Sequence, residues 1–388
     1  MALIWGTAVP IYGADVENGK NETNISEVGE EITEEETKSI TDDLLDQLNL
    51  QDLNEIVNTM LEDTNLSFAD MVSKLVSGEW VLDADTLLEL LGEVFYRELA
   101  DQKSIILELF FLILLTALLF QLSHLFEQGQ MTDITFYMIY LMAFVLLMKS
   151  FRGLLGQAES VIGTTAAFMK VLTPAYFLAI TASNGGLTAS AYYQIVLITL
   201  TLIQSVLLKL AIPGIQMYVI LGIVNDLSKE DFLSKLAELV KTIVLWMNRS
   251  VTGIVVGLQV IQRMIAPAMD LVKRGLVGKT ASAIPGIGNI IDSVTEMTIG
   301  CAVLVRNCLG VAALLVLVIF GLGPMIQIGI TALLYRLLGA VMQPVSDKRL
   351  IQAVTVMAEG CGMILRVLFT SEILFLLTIA IVASGGVQ

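Results

Sequence analysis

The chain has 388 residues, of which 55% are hydrophobic and 15% charged, and its mean hydropathy is +0.78. Soluble domains carry about 25% charged residues, so this composition excludes an ordinary soluble protein and points to an integral membrane protein. The net charge is −16, from 38 acidic and 22 basic residues, and the acidic N-terminal part that carries it should not seek nucleic acid or anionic lipid.

The charge is divided unevenly. Residues 1–103 hold 24 acidic and 5 basic side chains, leaving 14 acidic and 17 basic for the rest. An acidic head therefore precedes a nearly neutral body. The opening MALIWGTAVPIYGADV offers Gly13-Ala14 as a small-residue cleavage site but has no basic n-region. Residues 1–14 are read as a signal-peptide remnant, which places the head outside the cytoplasm. Residues 15–39 are rich in Glu without apolar period, so disorder is expected.

Residues 40–103 are expected to form a small helical extracytoplasmic head. Leu44, Leu48, Ile56 and Met60 recur at helical spacing, and Phe68–Val76 predicts a second short helix. Gly78 and Trp80 mark a break before a third helix over 85–99. About 60 ordered residues make a marginal core, so packing against the membrane body or a partner would complete it.

Residues 104–388 are read as an all-α, polytopic membrane domain of about seven transmembrane helices. A spanning helix needs about 20 apolar residues. Candidates cover 104–126, 134–154 and 161–182, the last carrying Lys170 and Pro174. Next comes 192–210, which Pro213-Gly214 interrupts, leaving 215–224 as the second half of a broken helix or a re-entrant segment. The pattern over 227–246 is amphipathic, as in an interfacial helix or one packed beneath its neighbours. Further apolar stretches follow at 251–269, 301–322, 325–343 and 366–383. Topology signals conflict: a head outside puts Lys149 and Arg152 outside too, whereas basic loops prefer the cytoplasm.

The least lipid-like stretch is Asp270 to Gly310, DLVKRGLVGKTASAIPGIGNIIDSVTEMTIGCAVLVRNCLG. Such sequence is tolerated at membrane depth only where protein or an aqueous cavity surrounds it. The alternative is a loop and amphipathic helix at the surface. Candidate backbone irregularities are Gly278, Pro285, Gly286, Gly288, Gly300 and Gly310, with Gly300 and Gly310 also suited to close helix approach. Candidate pore-lining or interhelical polar residues are Lys170, Lys279, Asp292, Glu296, Arg306, Asn307, Arg336 and Arg366, because ionisable groups within spans are costly unless sheltered. Asp292 and Glu296 share one helix face, either along a polar path or facing solvent.

No catalytic constellation is present. GLVGKT lacks the phosphate-loop spacing, since Lys273 stands where the first glycine belongs. The single histidine, His124, cannot form a histidine cluster, and Cys301, Cys308 and Cys361 make neither a disulfide framework nor metal spacing. No enzyme activity, metal or cofactor is expected.

The run GKTASAIPGIGNIIDSVTEMTIGCAVLVRNCLG, with Gly323-Pro324 and QPVSDKRL at 343–350, resembles the stage III sporulation protein AE family of spore-forming bacteria, and the resemblance covers nearly the whole chain. It implies a polytopic protein of the mother-cell membrane around the forespore, with the head facing the intermembrane space. It also implies a channel or export-gate-like role in a secretion-like complex joining the two cells during endospore development. The implied partners are the other stage III A proteins, including a separate ATPase and ring-forming proteins, a forespore membrane protein, and further copies of this chain. Two alternatives stay open: a small-solute secondary transporter, and a non-conducting scaffold of the same assembly.

Overall fold

A computed structural model describes residues 50–61, 67–78, 129–184, 198–227, 231–277, 288–344 and 346–384, with single positions between 40 and 48 and between 92 and 118. Side chains of the long segments are described over 140–181, 198–227, 231–254, 256–257, 297–344 and 346–380. The leader, the acidic segment, most of the third head helix and of the 104–126 span, and residues 278–287 lie outside these bounds.

Every regular element among the described residues is helical. The short helices are α1 (Gln51–Met60) and α2 (Phe68–Val76). The body holds α3 (Gly129–Asn184), α4 (Ile212–Leu227), α5 (Ser234–Val277), α6 (Gly288–Met342) and α7 (Lys348–Ser384). Residues 198–206 are also helical and lead through a π-helical turn, Leu207–Ala211, into α4.

The expected seven spans are corrected to four among the described residues: Tyr140–Thr181, Ile198–Leu227, Met297–Met342 and Lys348–Ala380. The apolar segments 134–154 and 161–182 are one helix, as are 301–322 with 325–343. The sequence between the first pair, LLGQAES, contains glycine but no proline. A glycine costs a helix about 1 kcal/mol relative to alanine, which packing along the rest of α3 outweighs. Gln157 in this stretch turns inward and donates to Gln327 Oε1 of α6. The 56 residues of α3 extend about 84 Å at 1.5 Å per residue, well beyond a hydrocarbon core of about 30 Å.

The proline sites stay helical. Pro174 has no N–H for the preceding turn; beside it Thr173 Oγ1 donates to the Met169 carbonyl at 2.6 Å. Before Pro213, the Ile212 N–H reaches back five residues to the Leu207 carbonyl. The wider π turn thus carries the chain past the proline, and 198–227 forms one long helical segment instead of breaking.

Cross-helix contacts fix the register. α6 turns back into α7 at residues 343–347, where Asp347 Oδ1 accepts the Arg349 N–H at 2.9 Å as an N-cap. Tyr335 of α6 donates to Ser150 of α3 at 2.9 Å, and Thr165 of α3 donates to Glu372 of α7 at 3.3 Å. Helices α3, α5 and α7 therefore run one way, and α4 and α6 the other.

Between helices in lipid, close packing replaces the hydrophobic drive. At Gly222 an added Cβ would lie 2.8 Å from Val356 Cγ1, so α4 and α7 meet almost backbone to side chain. Around such contacts Phe151, Ile162, Val316, Leu368 and Phe375 are fully buried.

The two short helices dock on this body. Asn54 of α1 accepts the Ala69 N–H at 2.9 Å and the Ser67 hydroxyl at 3.1 Å, satisfying a donor in the first turn of α2. Phe68 then meets Phe168 of α3 edge to face, with centroids 6.1 Å apart. Leu53, Val57, Met71 and Val72 join the same buried core.

Candidate functional site: the polar interior of the helix bundle

Polar side chains recur along the interior of otherwise apolar helices. At the end near the α6–α7 turn, Tyr140 donates to the Ile223 carbonyl at 2.7 Å. Asn225 ties the end of α4 to the start of α5, accepting the Leu233 N–H at 2.8 Å and donating to Asp231 at 3.3 Å.

The next group joins three helices. Lys241 Nζ of α5 lies 2.6 Å from Glu359 Oε2 of α7, and the Tyr218 hydroxyl of α4 donates to the same oxygen. The ammonium also sits over the Tyr218 ring, 5.5 Å from its centroid. Arg336 of α6 is close enough for its charge to act on Glu359. The Lys241 and Glu359 side chains are 33% and 38% exposed, so water reaches this pair.

Further along, the interior closes. Glu372 is 3% exposed, and its Oε1 accepts the Thr165 hydroxyl at 3.3 Å. Its Oε2 is buried without a hydrogen-bond partner, as is the hydroxyl of Ser371. Room for the carboxyl comes from Gly321 of α6, where a Cβ would stand 2.8 Å from Glu372 Cδ. Nearby Asn248 of α5 donates to Thr370 of α7 at 3.1 Å, and Gln204 to the Ile162 carbonyl at 3.5 Å.

At the other end stands Arg306, 1% exposed, which donates through Nη2 to Asn307 Oδ1 at 3.3 Å. Tyr176 of α3 lies within reach of its charge. Arg306 and Arg336 are thirty residues apart on α6, about 45 Å. Among the described residues the candidate polar side chains are thus distributed over a length greater than the hydrocarbon core and form no single binding pocket.

The remaining candidates have varied placements. Lys170 and Arg336 are exposed, and Arg366 is exposed at a cleft between α5 and α7. Asp292 and Glu296 lie in the first turns of α6, with side chains outside the described residues. Gly288 is the first residue of α6; Gly300 lies on an open face with nothing near an added Cβ, and Gly310 is buried. Lys279, Gly278, Pro285 and Gly286 lie outside the described residues.

Glu372, Glu359, Lys241, Tyr218 and Thr165 were missed by the sequence reading. Glu372 carried a usable signal: an acid inside the apolar run VLFTSEILFLL is a functional candidate by cost alone. Its partner Thr165, 207 positions away, had none.

What the described residues of this interior offer is charge placement and hydrogen bonding. Among the described residues no cluster of His, Cys, Asp and Glu could hold a metal, and the three cysteines are buried and form no disulfide.

Comparison with known proteins identifies the lineage. A relative in Bacillus subtilis (strain 168), named Stage III sporulation protein AE, is 22% identical over 315 residues, covering 81% of this chain and 79% of its own. No solved structure matches. Residues 66–386 match the family described as Stage III sporulation protein AE, and the chain belongs to that family.

Proposed function

We propose that this chain is the channel or export-gate subunit of the sporulation complex that connects mother cell and forespore. The coarser statement, a membrane-embedded subunit of a sporulation complex, follows from family and helices together. What supports the finer one is the polar series from Tyr140 through Glu359, Gln157–Gln327 and Glu372 to Arg306. Ionisable groups within membrane spans are rare and face a bundle interior or a water-filled cavity, where substrate and ion pathways are among their roles.

In this reading the interior opens when α6 and α7 slide against α3, exchanging the Thr165–Glu372 contact for water. Energy for transport is supplied by a separate ATPase of the assembly, and several copies of the chain surround one axis. The head faces the intermembrane space from the outer forespore membrane. Arg306→Leu tests the reading: it should leave membrane insertion and protein level intact while reducing spore yield to background. Normal spore yield from that variant would remove Arg306 and the far end of the series from any route.

The tight approach at Gly222 and Gly321 favours a second reading, a filled and non-conducting scaffold. Under it, Arg306→Leu should lower the amount of assembled complex in proportion to spore yield.

A further inference from the structure

A cleft of about 200 Å³ opens between α5 and α7, bordered on α5 by Asn248 and Val256 and on α7 by Arg366, Phe369, Ile373 and Leu377. It is smaller than the roughly 300–1,000 Å³ of a site that encloses a whole small molecule. Its floor is fixed: Asn248 donates to Thr370 Oγ1 at 3.1 Å, and Thr370 donates to the Arg366 carbonyl at 2.9 Å.

The cleft has two unlike ends. Arg366 is exposed at one end, and among the described residues it makes no ion pair. Among the described residues no acidic side chain borders the cleft. From Arg366, Phe369, Ile373 and Leu377 follow along α7, while Val256 continues the apolar wall on α5. The two helices run parallel here, since Lys241 meets Glu359 and Asn248 meets Thr370. Arg366 to Leu377 spans eleven residues, about 16 Å. One leaflet of a hydrocarbon core of about 30 Å is about 15 Å thick.

A lone guanidinium within a span is costly without an anion or water beside it. A phosphate matches it in charge and in fork geometry. Arg249 and Lys209 are also exposed, and the helix register brings them within a few turns of Arg366. Such a belt of cations suits the headgroup level, where long basic side chains reach toward water and phosphate.

We propose that this cleft is a binding site for one anionic phospholipid. The phosphate lies on Arg366 and one acyl chain runs along Phe369, Ile373, Leu377 and Val256. Head and tail follow from the order of residues along α7, and this assignment does not depend on the chain being a conduit. A bound lipid would join α5 to α7 and link the packing of these helices to membrane composition.

Native mass spectrometry of the purified full chain tests this, with phosphatidylglycerol or phosphatidylcholine supplied in equal amounts. Phosphatidylglycerol should be retained preferentially. Arg366→Gln should reduce retention about tenfold, the loss of one charged hydrogen bond. Ile373→Trp should fill the apolar end and expel the lipid while leaving Arg366 in place, so it decides the matter if Arg366→Gln misfolds. Added inorganic phosphate should not displace the lipid. Equal retention of both lipids, unchanged retention in a folded variant, or displacement by inorganic phosphate would overturn the proposal.

Discussion

Two acidic residues on α7, Glu359 and Glu372, lie thirteen positions apart and are treated in opposite ways. Glu359 is part-exposed and meets a lysine, a tyrosine and the charge of Arg336. Glu372 is almost fully buried and has one hydroxyl donor, with a glycine opposite. Where water enters, a carboxylate can carry its charge with modest help, and its ion pair adds little. Where water is excluded, shape takes over: α6 gives up a side chain at Gly321 so that the carboxyl fits at all. The contrast separates a wetted rim whose ion pair contributes little from an interior in which a polar group is under-satisfied.

The largest effect should come from closing the space beside the buried acid. Gly321→Leu should destabilise the protein by about 1–3 kcal/mol through overpacking, read as a lower melting temperature in detergent. Pairing it with Glu372→Ala should restore part of that loss, because neighbours that clash couple in a double-mutant cycle. Full additivity of the two changes would show that they do not share one space.

A smaller effect should follow Thr165→Val, which removes the hydroxyl on Glu372 with little change of shape. About 1 kcal/mol is expected for one hydrogen bond, measured by the same melting assay. No change would mean that the 3.3 Å contact contributes nothing to holding α3 against α7.

The smallest belongs to the rim. Lys241→Met should cost about 0–1 kcal/mol, and the difference from the parent should shrink as salt rises. A loss several times larger and insensitive to salt would place Glu359 in the same class as Glu372, and the comparison would fail.

Much of the body was legible in the sequence because apolar runs and helix spacing are local. Phe68–Val76 stands as a helix as expected, and Arg306, a charge within an apolar run, is buried. The number of spans was not legible. LLGQAES reads as a linker by polarity, yet it contains no proline to end a helix, and Gln157 finds Gln327 170 positions away. Pro213 reads as a break, yet one π turn passes it. The site residues divide along the same line. A charge within an apolar run is visible in one dimension, as at Lys170, Arg306, Arg336 and Arg366, and of these four the structure buries Arg306 alone. Partners such as Thr165 for Glu372 and Tyr218 for Glu359 depend on the register between helices, which no short stretch encodes. The glycine-rich centre falls largely outside the described residues.

The central claim is that the buried polar series borders a route for water and cargo in the working complex. Single cysteines at Thr165 and Gln327, with an exposed control at Lys235 outside the four spans, can be challenged by a membrane-impermeant thiol reagent in opened membranes of sporulating cells. A route predicts that Thr165→Cys and Gln327→Cys react once the complex is assembled and are protected before assembly. Lasting protection at both positions, while Lys235→Cys reacts, would contradict it.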